Sequence, residues 1–533
     1  MRFIVKNYLL TLKEKDELDL LLCDILLQDG FIIDSIPKTG NRQFGVDILA
    51  HSKSEVLFFV VKQGNIDRKM WDDGQNSVRQ SMNEILDVTL RNMPSAALEK
   101  DITIVVATNG YLDDPVRLNW QGYQEQHRNY NGLHISYKFW GIDEITEQVQ
   151  QTLLSENLFP LDMRPDFRKA LYFVEESDYK NSYYENIINT YIQKLPTSIS
   201  QHSIIKIKTI FPSLMLGAQM IAQYAASVNR FQISAKVFEY TVIKVWKWMF
   251  QNNGMEKKIC SEWLIKFLNK YREWNQQYYE AIKDCCIEPK AFPSYFSVVE
   301  QKIKLYDVVG QLSSFAFVES YIDSGKANTI LNTIVQLVNN NPQFFYAPYD
   351  NNIVQTTILC RAFIACGRRE SALNLIHNQC IMVSEWFHGL KKYPTPTDSF
   401  RDAINIELGN THDDYVTSSF WGFMLLWIGI LNDSSTYESV KSFLENDLKD
   451  VTKCVWILRA QEELSLYDEY AMYKSGEGIV IKTEDNFDSF KEKLLFILDQ
   501  YQNEVFSFDE YSFPALEIIT SHYYNSIPRI KLD

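Results

Sequence analysis

The chain lacks the sequence features of an exported, zinc-binding or membrane-spanning protein. Its eight cysteines are scattered without CxxC spacing, and no Cys/His cluster repeats at the spacing of zinc ligands. No charged-then-apolar leader with a small-residue cleavage site is visible. The longest apolar run, FWGFMLLWIGIL at 420–431, is too short to span a bilayer and predicts a buried core helix. We therefore expect a cytoplasmic protein with reduced thiols and no membrane partner.

The chain also lacks an excess of positive charge. Its formal net charge is −15 at pH 7, whereas a protein that coats nucleic acid needs a basic surface. The acidic total argues against nucleic-acid binding over the whole surface, but it is compatible with a local basic cleft. The length of 533 residues predicts two to four domains, and 46% hydrophobic residues are ample for their cores.

Residues 1–155 form the first predicted domain, of the α/β class. A helix is predicted at 11–30, where Thr11 and Glu14 match a capping box and Gly30 is a natural stop. Further patterns predict strands at 31–36, 45–50 and 55–62, a helix at 76–90, a strand at 102–110, a helix at 114–127 and a strand at 134–140. The last two strands lie between helices, so we expect them to be buried on both faces. The order α-β-β-β-α-β-α-β predicts a mixed sheet between helices.

The remaining sequence predicts a large all-helical region at 168–533, joined to the first domain by a linker at 156–167 that has two prolines and no periodicity. Three-and-four spacing of apolar residues recurs, for example at 217–228, 236–250 and 367–379. The polar stretch 338–351 is a candidate division of this region, and GEGIVIK at 476–482 predicts a short strand or a hairpin inset. No repeat of thirty to forty residues is evident, so a helical-repeat architecture stays open.

The stretch GNRQFGVDILAHSKSEVLFFVVKQG at 40–64 places two charged residues in neighbouring apolar strands. Asp47 lies in the first strand, and Lys62 ends the second. The four residues between the strands predict a hairpin-like connection that holds them side by side. Two interpretations follow, a salt bridge at the ends of two core strands or a metal-dependent nuclease centre.

The motifs resemble those of the PD-(D/E)xK nuclease superfamily, and within it the Mrr-like restriction endonucleases. The similarity covers residues 10–150 and includes a helix, a strand, GVDI, FVVKQG, the strand ending ATNGYLDD and the strand ending FWGIDEI. It does not extend to the C-terminal two-thirds of the chain. The resemblance implies a restriction-endonuclease-like fold that hydrolyses phosphodiester bonds with Mg²⁺ or Mn²⁺.

The same resemblance implies a role for each matching residue. Asp47 corresponds to the principal metal ligand and Lys62 to the catalytic lysine. Glu17 matches the acid on the first helix, and the backbone carbonyl of Val61 would be a further metal ligand. A carboxylate-held Mg²⁺ activates water and neutralises developing charge, while a nearby lysine orients the water or stabilises that charge.

One position departs from the family pattern. The family has Glu, Asp or Gln two residues before the lysine, where this chain has Val60. Gln63 points to the opposite face if strand alternation holds, and the spacing of Glu84 places it opposite the apolar face of its helix. Asp34, at the end of the first strand, is a reserve ligand. One metal ligand is thus missing from its usual place, although the set named above is chemically sufficient.

We expect a Mg²⁺-dependent DNA endonuclease of restriction or anti-phage defence, acting on double-stranded DNA. The helical region would sense a trigger, bind a protein partner or mediate assembly of a homo-oligomer. Two alternatives stay open. One is a catalytically silent nuclease fold that binds nucleic acid or protein, for which Val60 is the key feature. The other is a scaffold whose function resides in the helical region, and an RNA substrate also stays open.

Overall fold

The chain divides into two compact units, Met1–Val228 and Asn229–Asp533, called here the N-terminal and C-terminal units. The computed structural model describes residues 2–10, 12–35, 44–74, 76–152, 164–176, 179–199, 201–254, 257–293, 297–409, 415–457, 477–502 and 515–526. Within these ranges, no helix combines the length and the apolar character that crossing a bilayer requires.

The predicted domain boundary falls largely outside the described residues. Residues 153–163 cover most of the linker predicted at 156–167, which stays a prediction. The helical residues from 164 to 227 belong to the N-terminal unit, and the polar stretch 338–351 lies inside the C-terminal unit.

A six-stranded mixed sheet organises the described part of the N-terminal unit. Its strands are β1 Ile32–Ser35, β2 Ile48–His51, β3 Glu55–Lys62, β4 Asp101–Thr108, β5 Asn129–Tyr130 and β6 Leu133–Trp140. Their order is β1-β2-β3-β4-β6-β5. The pairs β3–β4 and β4–β6 are parallel, and the other pairs are antiparallel. This confirms the predicted α/β class and the order of its elements.

Ten described helices of the N-terminal unit precede, connect or follow these strands along the chain. They are α1 Arg2–Leu9, α2 Asp19–Gln28, α3 Arg68–Asp72, α4 Val78–Glu84, α5 Ser95–Leu98, α6 Asp114–His127, α7 Ile142–Thr152, α8 Arg164–Tyr172, α9 Ser182–Lys194 and α10 Gln201–Ser227. Two π-helical turns, Glu14–Leu18 and Ile85–Thr89, adjoin α2 and α4. Short 3-10 turns lie at Leu90–Asn92 and Phe173–Glu175.

Strands β3 and β4 form the centre of the sheet and are buried along almost their whole length. On one face, Val56, Phe58 and Val60 pack in a hydrophobic cluster with Trp71 and Met82. Burial on both faces is thus confirmed for β4, but it is wrong for β6, in which Ile135 is buried and the other residues are half-buried or exposed. The outer neighbour of β6 is the two-residue β5, so β6 lies close to the sheet edge.

The C-terminal unit is mostly helical, as predicted. Its described helices are α11 Phe231–Gln251, α12 Lys258–Cys286, α13 Val298–Ser320, α14 Ser324–Asn340, α15 Ile353–Ala365, α16 Arg369–Leu390, α17 Phe400–Glu407, α18 Ser419–Ile430, α19 Ser434–Asn446, α20 Phe487–Gln502 and α21 Ala515–Tyr524. Short 3-10 turns lie at Pro342–Phe345 and Asp350–Asn352. A small sheet joins β7 Thr417–Ser418, β8 Thr452–Ile457 and β9 Glu477–Val480. The strand predicted near 476–482 is therefore confirmed as β9.

The apolar run at 420–431 forms most of helix α18, and all its residues except the half-buried Ile430 are buried, as predicted. The carboxylate of Asp350 lies at the start of this helix. It accepts hydrogen bonds from the Ser418 hydroxyl at 2.7 Å and from the Ser419 backbone N–H. Burial raises the pKa of Asp350 to about 6, against an ordinary value of 3.8. A buried acid thus caps the most apolar helix of the unit.

Asp350 is expected to make stability depend on pH. Because its pKa is higher in the folded protein, the folded state holds a proton that the unfolded state releases, and the resulting stability is lost as the pH rises from about 4 to about 6. Asp350→Asn removes this titration. The parent should therefore lose about 2–3 kcal/mol of unfolding free energy relative to the variant between pH 4 and pH 7. Urea unfolding at several pH values measures the difference, and a pH-independent difference would contradict the assignment.

Candidate active site

Asp47 lies where strand β2 begins, and it is fixed to β3 by two hydrogen bonds. Its backbone N–H donates to the Phe59 carbonyl at 2.8 Å. Its carboxylate Oδ2 accepts the Val61 N–H at 2.8 Å. Ile48 then pairs with Phe59 in the regular ladder. The acid is thus held beside the end of β3, directly before Lys62.

Lys62 is the last residue of β3 and is largely buried, with 7% of its surface exposed. It lies in register with Thr108 of the parallel strand β4. Among the described residues its amine forms neither a hydrogen bond nor a salt bridge. A buried cation with unused donors is a costly feature of a fold and is typical of a functional position.

The charges around Asp47 link the acid to its neighbours. Burial raises the pKa of the Asp47 carboxyl above its ordinary value, while the positive charge of Lys62 and the hydrogen bond from Val61 lower it. Glu14 raises this pKa, and Lys15 lowers it. Asp47, Lys62 and the π-helical turn that carries Glu14 therefore lie within electrostatic range of one another.

Two acids of the π-helical turn Glu14–Leu18, Glu14 and Glu17, lie in different surroundings. Glu17, the predicted metal ligand, accepts the Lys13 backbone N–H at 2.8 Å and lies 4.0 Å from the Lys13 amine. The charges that chiefly shift the pKa of Asp47 are those of Lys62, Glu14 and Lys15. The predicted capping role of Glu14 is wrong, because the turn begins at Glu14 and Glu17 reaches back to its N-terminus instead. Thr11, the other residue of that predicted cap, lies outside the described residues.

The other positions considered for the missing metal ligand, Val60, Glu84 and Asp34, lie in different surroundings. Val60, at the position of the missing acid, is fully buried in the cluster of Trp71. Glu84 is half-buried, and its carboxylate forms no hydrogen bond or ion pair with another described residue. Asp34 bonds the His51 ring at 2.7 Å. Since His51 ends β2, this pair lies at the opposite end of that strand from Asp47.

Gly45 explains the glycine in the G-x-D pattern. Its φ is +83°, a backbone conformation that glycine adopts freely and that strains residues with a Cβ atom. A Cβ atom at this position would lie 2.1 Å from the Ser81 carbonyl oxygen of α4. The glycine therefore lets the chain turn beneath α4 and enter β2 at Asp47.

The carboxylates near Asp47 limit which metal the site suits. Within the described residues, no group of three His, Cys, Asp or Glu side chains is arranged to hold a metal ion. Such a site does not fit zinc or a cage built from protein ligands alone. Mg²⁺ keeps several water ligands and needs one or two carboxylates together with substrate phosphates. Asp47 supplies one such carboxylate, and Glu14 is an acid whose charge raises the pKa of Asp47, so a hydrated Mg²⁺ or Mn²⁺ suits these residues better than zinc.

The end of β4 clamps the segments on either side of the site. The side-chain oxygen Oδ1 of Asn109 accepts the Gly64 N–H at 2.8 Å, and the Thr108 hydroxyl donates to the Gly64 carbonyl at 2.5 Å. The Asn109 amide donates to the carbonyls of Leu9 at 3.0 Å and Leu12 at 2.8 Å. Asn109 thus joins the turn after β3 to the segment before the π-helical turn. The polar pair that ends an apolar strand in ATNG was its only sequence signal.

Asn109→Ala is expected to loosen this clamp. The change leaves the half-buried Gly64 N–H and the Leu12 carbonyl without this partner and removes one of the two donors to the Leu9 carbonyl. A buried polar group left unpaired costs about 1–3 kcal/mol. We expect amide exchange in peptides covering 5–13 and 60–66 to accelerate by at least about 30-fold, equivalent to about 2 kcal/mol. Hydrogen-exchange mass spectrometry measures it. Asn92→Ala, which removes an exposed bond to the Val88 carbonyl, is the control and should leave both peptides unchanged. Unchanged exchange in Asn109→Ala would show that the clamp adds nothing.

Comparisons with protein-family models, with curated proteins and with solved structures find no significant match to this chain.

Proposed function

We propose that the N-terminal unit is a metal-dependent endonuclease that hydrolyses phosphodiester bonds in DNA. The observation that supports this most is the pairing of two groups at the ends of adjacent strands. Asp47 is a half-buried acid, and Lys62 is a buried amine that forms no hydrogen bond or salt bridge with another described residue. The similarity of residues 10–150 to the PD-(D/E)xK superfamily points to the same chemistry.

In this proposal Asp47 is the principal metal ligand, and Glu14 takes the place of the acid missing at Val60. The bound Mg²⁺ would act as a Lewis acid that neutralises charge on the scissile phosphate. The hydrogen bond from Val61 holds the Asp47 carboxylate in one orientation. The carboxylate therefore needs little rearrangement when the substrate binds.

Lys62 would supply the second electrostatic contribution. Its compact ammonium group can orient the attacking water and stabilise the negative charge that develops on the phosphate oxygens. Burial strengthens this effect, because a charge acts more strongly where water is excluded. The Gly64 turn, held by Thr108 and Asn109, fixes the strand end from which the lysine projects.

The wider role follows from the resemblance. We place the enzyme in the cytoplasm, where the eight cysteines, all free in the structure, would stay reduced. A restriction or anti-phage role suits a nuclease joined to a large helical unit that senses a trigger or mediates assembly. Cutting both strands of double-stranded DNA would then require two copies of the site.

Incubating the full chain with supercoiled plasmid tests the proposal. Nicked and linear products should appear with Mg²⁺ or Mn²⁺ and disappear when EDTA is added. A parallel incubation with single-stranded and duplex RNA distinguishes the substrate class. Absence of metal-dependent cleavage of any of these substrates would contradict the nuclease proposal.

A catalytically silent nuclease fold is the second candidate, and one observation favours it. Val60 is buried in hydrocarbon, so the acid of the family pattern is missing at that position, and Glu17 accepts a hydrogen bond from its own helix turn. In this case the unit would bind nucleic acid or a partner protein. Binding of labelled duplex DNA in EDTA, without cleavage when Mg²⁺ is supplied, would support this alternative.

A further inference from the structure

A pocket in the C-terminal unit lies among helices α14, α15 and α16. Its volume is about 210 Å³. The buried side chains of Phe345, Leu359 and Phe363 contribute to an apolar floor. The exposed side chains of Asn339, Asn374 and Asn378 contribute to its rim. The pocket thus combines an apolar floor with an uncharged, hydrogen-bonding edge.

The size and the charge of the pocket exclude most ligands. Pockets for drug-sized molecules and cofactors measure about 300–1,000 Å³, so this one is large enough for a bulky side chain but not for a nucleotide. None of the residues that line it is charged. It therefore offers no partner for a phosphate or a carboxylate, which are normally bound by Arg or Lys. The occupant should be small, apolar and neutral where it touches the pocket.

The rim on α16 carries a stripe of polar side chains. Ser371, Asn374 and Asn378 follow one another at intervals of three and four residues, which places them on one face of the helix. Among the described residues, the two asparagine carboxamides form no hydrogen bond. Each carboxamide offers both donors and an acceptor, the same complement that a peptide group requires.

The spacing of the two asparagines matches an extended peptide. Residues four apart on a helix rise by about 6 Å along its axis. In an extended chain, backbone groups that face the same side recur every two residues, or about 6.6 Å. Asn374 and Asn378 can therefore each bond one peptide group of the same extended strand, while the side chain between them enters the pocket.

We propose that this pocket binds an extended, uncharged segment of a partner protein. The backbone of the segment lies along α16 and bonds Asn374 and Asn378. One large apolar side chain fills the cavity above Leu359 and Phe363. The hydrogen bonds to the backbone fix the position of the segment along α16, and the cavity determines which side chain is accepted at its centre.

Capped heptapeptides with Ser, Thr and Gln flanks provide the probe. A panel with central Leu, Ile, Met, Phe or Trp is compared with central Ala and Asp, and binding to the full chain is measured by fluorescence anisotropy. At least one apolar centre should bind about tenfold or more tightly than Ala, and Asp should not bind. The double variant Asn374→Ala with Asn378→Ala should weaken binding at least tenfold. Gln336→Ala, an exposed amide of α14 outside the pocket, should leave binding unchanged.

A second measurement leaves the protein unaltered. N-methylation of the peptide groups on either side of the central residue removes their donors and should weaken binding at least tenfold. The proposal is overturned if no apolar-centred peptide binds better than Ala at millimolar concentration. It is also overturned if neither the double variant nor N-methylation weakens binding. Benzyl alcohol that binds as tightly as the best peptide would instead assign the cavity to a free apolar molecule.

Discussion

Asp47→Asn and Lys62→Met are each expected to lower the rate of plasmid cleavage by at least about 10²- to 10³-fold. The asparagine keeps an oxygen that can accept the Val61 N–H, so the change removes the charge and leaves the strand pairing intact. Methionine keeps the length of the buried lysine stem and removes its ammonium group. In other enzymes, removing one preorganised group that stabilises the transition state lowers the rate by a similar factor.

Matched controls separate these effects from a general loss of charge. Asp73→Asn and Lys69→Met alter exposed residues of the segment that follows β3, and both should cleave plasmid at the parental rate. Circular dichroism of all four variants should match the parent, because no backbone hydrogen bond is removed. Parental cleavage by Asp47→Asn or by Lys62→Met would remove that residue from the proposed site.

Val60→Glu, which restores the acid of the family pattern, is expected to destabilise the protein by about 3–5 kcal/mol rather than improve it. Val60 is completely buried in a cluster that includes Trp71 and Met82. A carboxylate there would lack both water and a partner, whether it ionises or takes up a proton. Urea titration followed by amide exchange of β3 and β4 peptides measures the loss. Such a change is among the largest that single substitutions produce.

Gln63→Glu is the matched control for that variant. Gln63 is exposed three residues further along the chain, so adding the same charge there should change the unfolding free energy by less than about 0.5 kcal/mol. A Val60→Glu protein that is as stable as the parent and cleaves DNA faster would contradict this account. That result would mean that position 60 faces the metal, as in the family pattern.

The elements that could be predicted from sequence are those defined by local pattern. Strand β3 is observed at Glu55–Lys62, as predicted, because a continuous apolar run is bounded by polar turns on both sides. Helix α6 at Asp114–His127 also matches its prediction, since Pro115 and acidic residues mark its start. Helix α1 was not predicted. It is short, and tertiary contacts such as the 2.6 Å ion pair between Lys6 and Asp143 support it.

The candidate site was predicted only in part, for a related reason. Asp47 and Lys62 lie in one hairpin, so their proximity follows from local spacing. The placement of Glu14 and Glu17 depends on a π-helical turn, whose wider spiral shifts the helix face that a 3.6-residue period predicts. Asn109 acts across about a hundred residues of sequence, and no local pattern contains such a contact.

Titration of the full chain with Mn²⁺ by isothermal calorimetry tests the central claim most directly. Asp47 should contribute a binding event that Asp47→Asn weakens at least tenfold, because the carboxylate supplies the charge that attracts the ion. Lys62→Met should bind Mn²⁺ at least as tightly as the parent, because it removes a positive charge beside the ion. Identical titrations of the parent and of Asp47→Asn would contradict the proposed metal site.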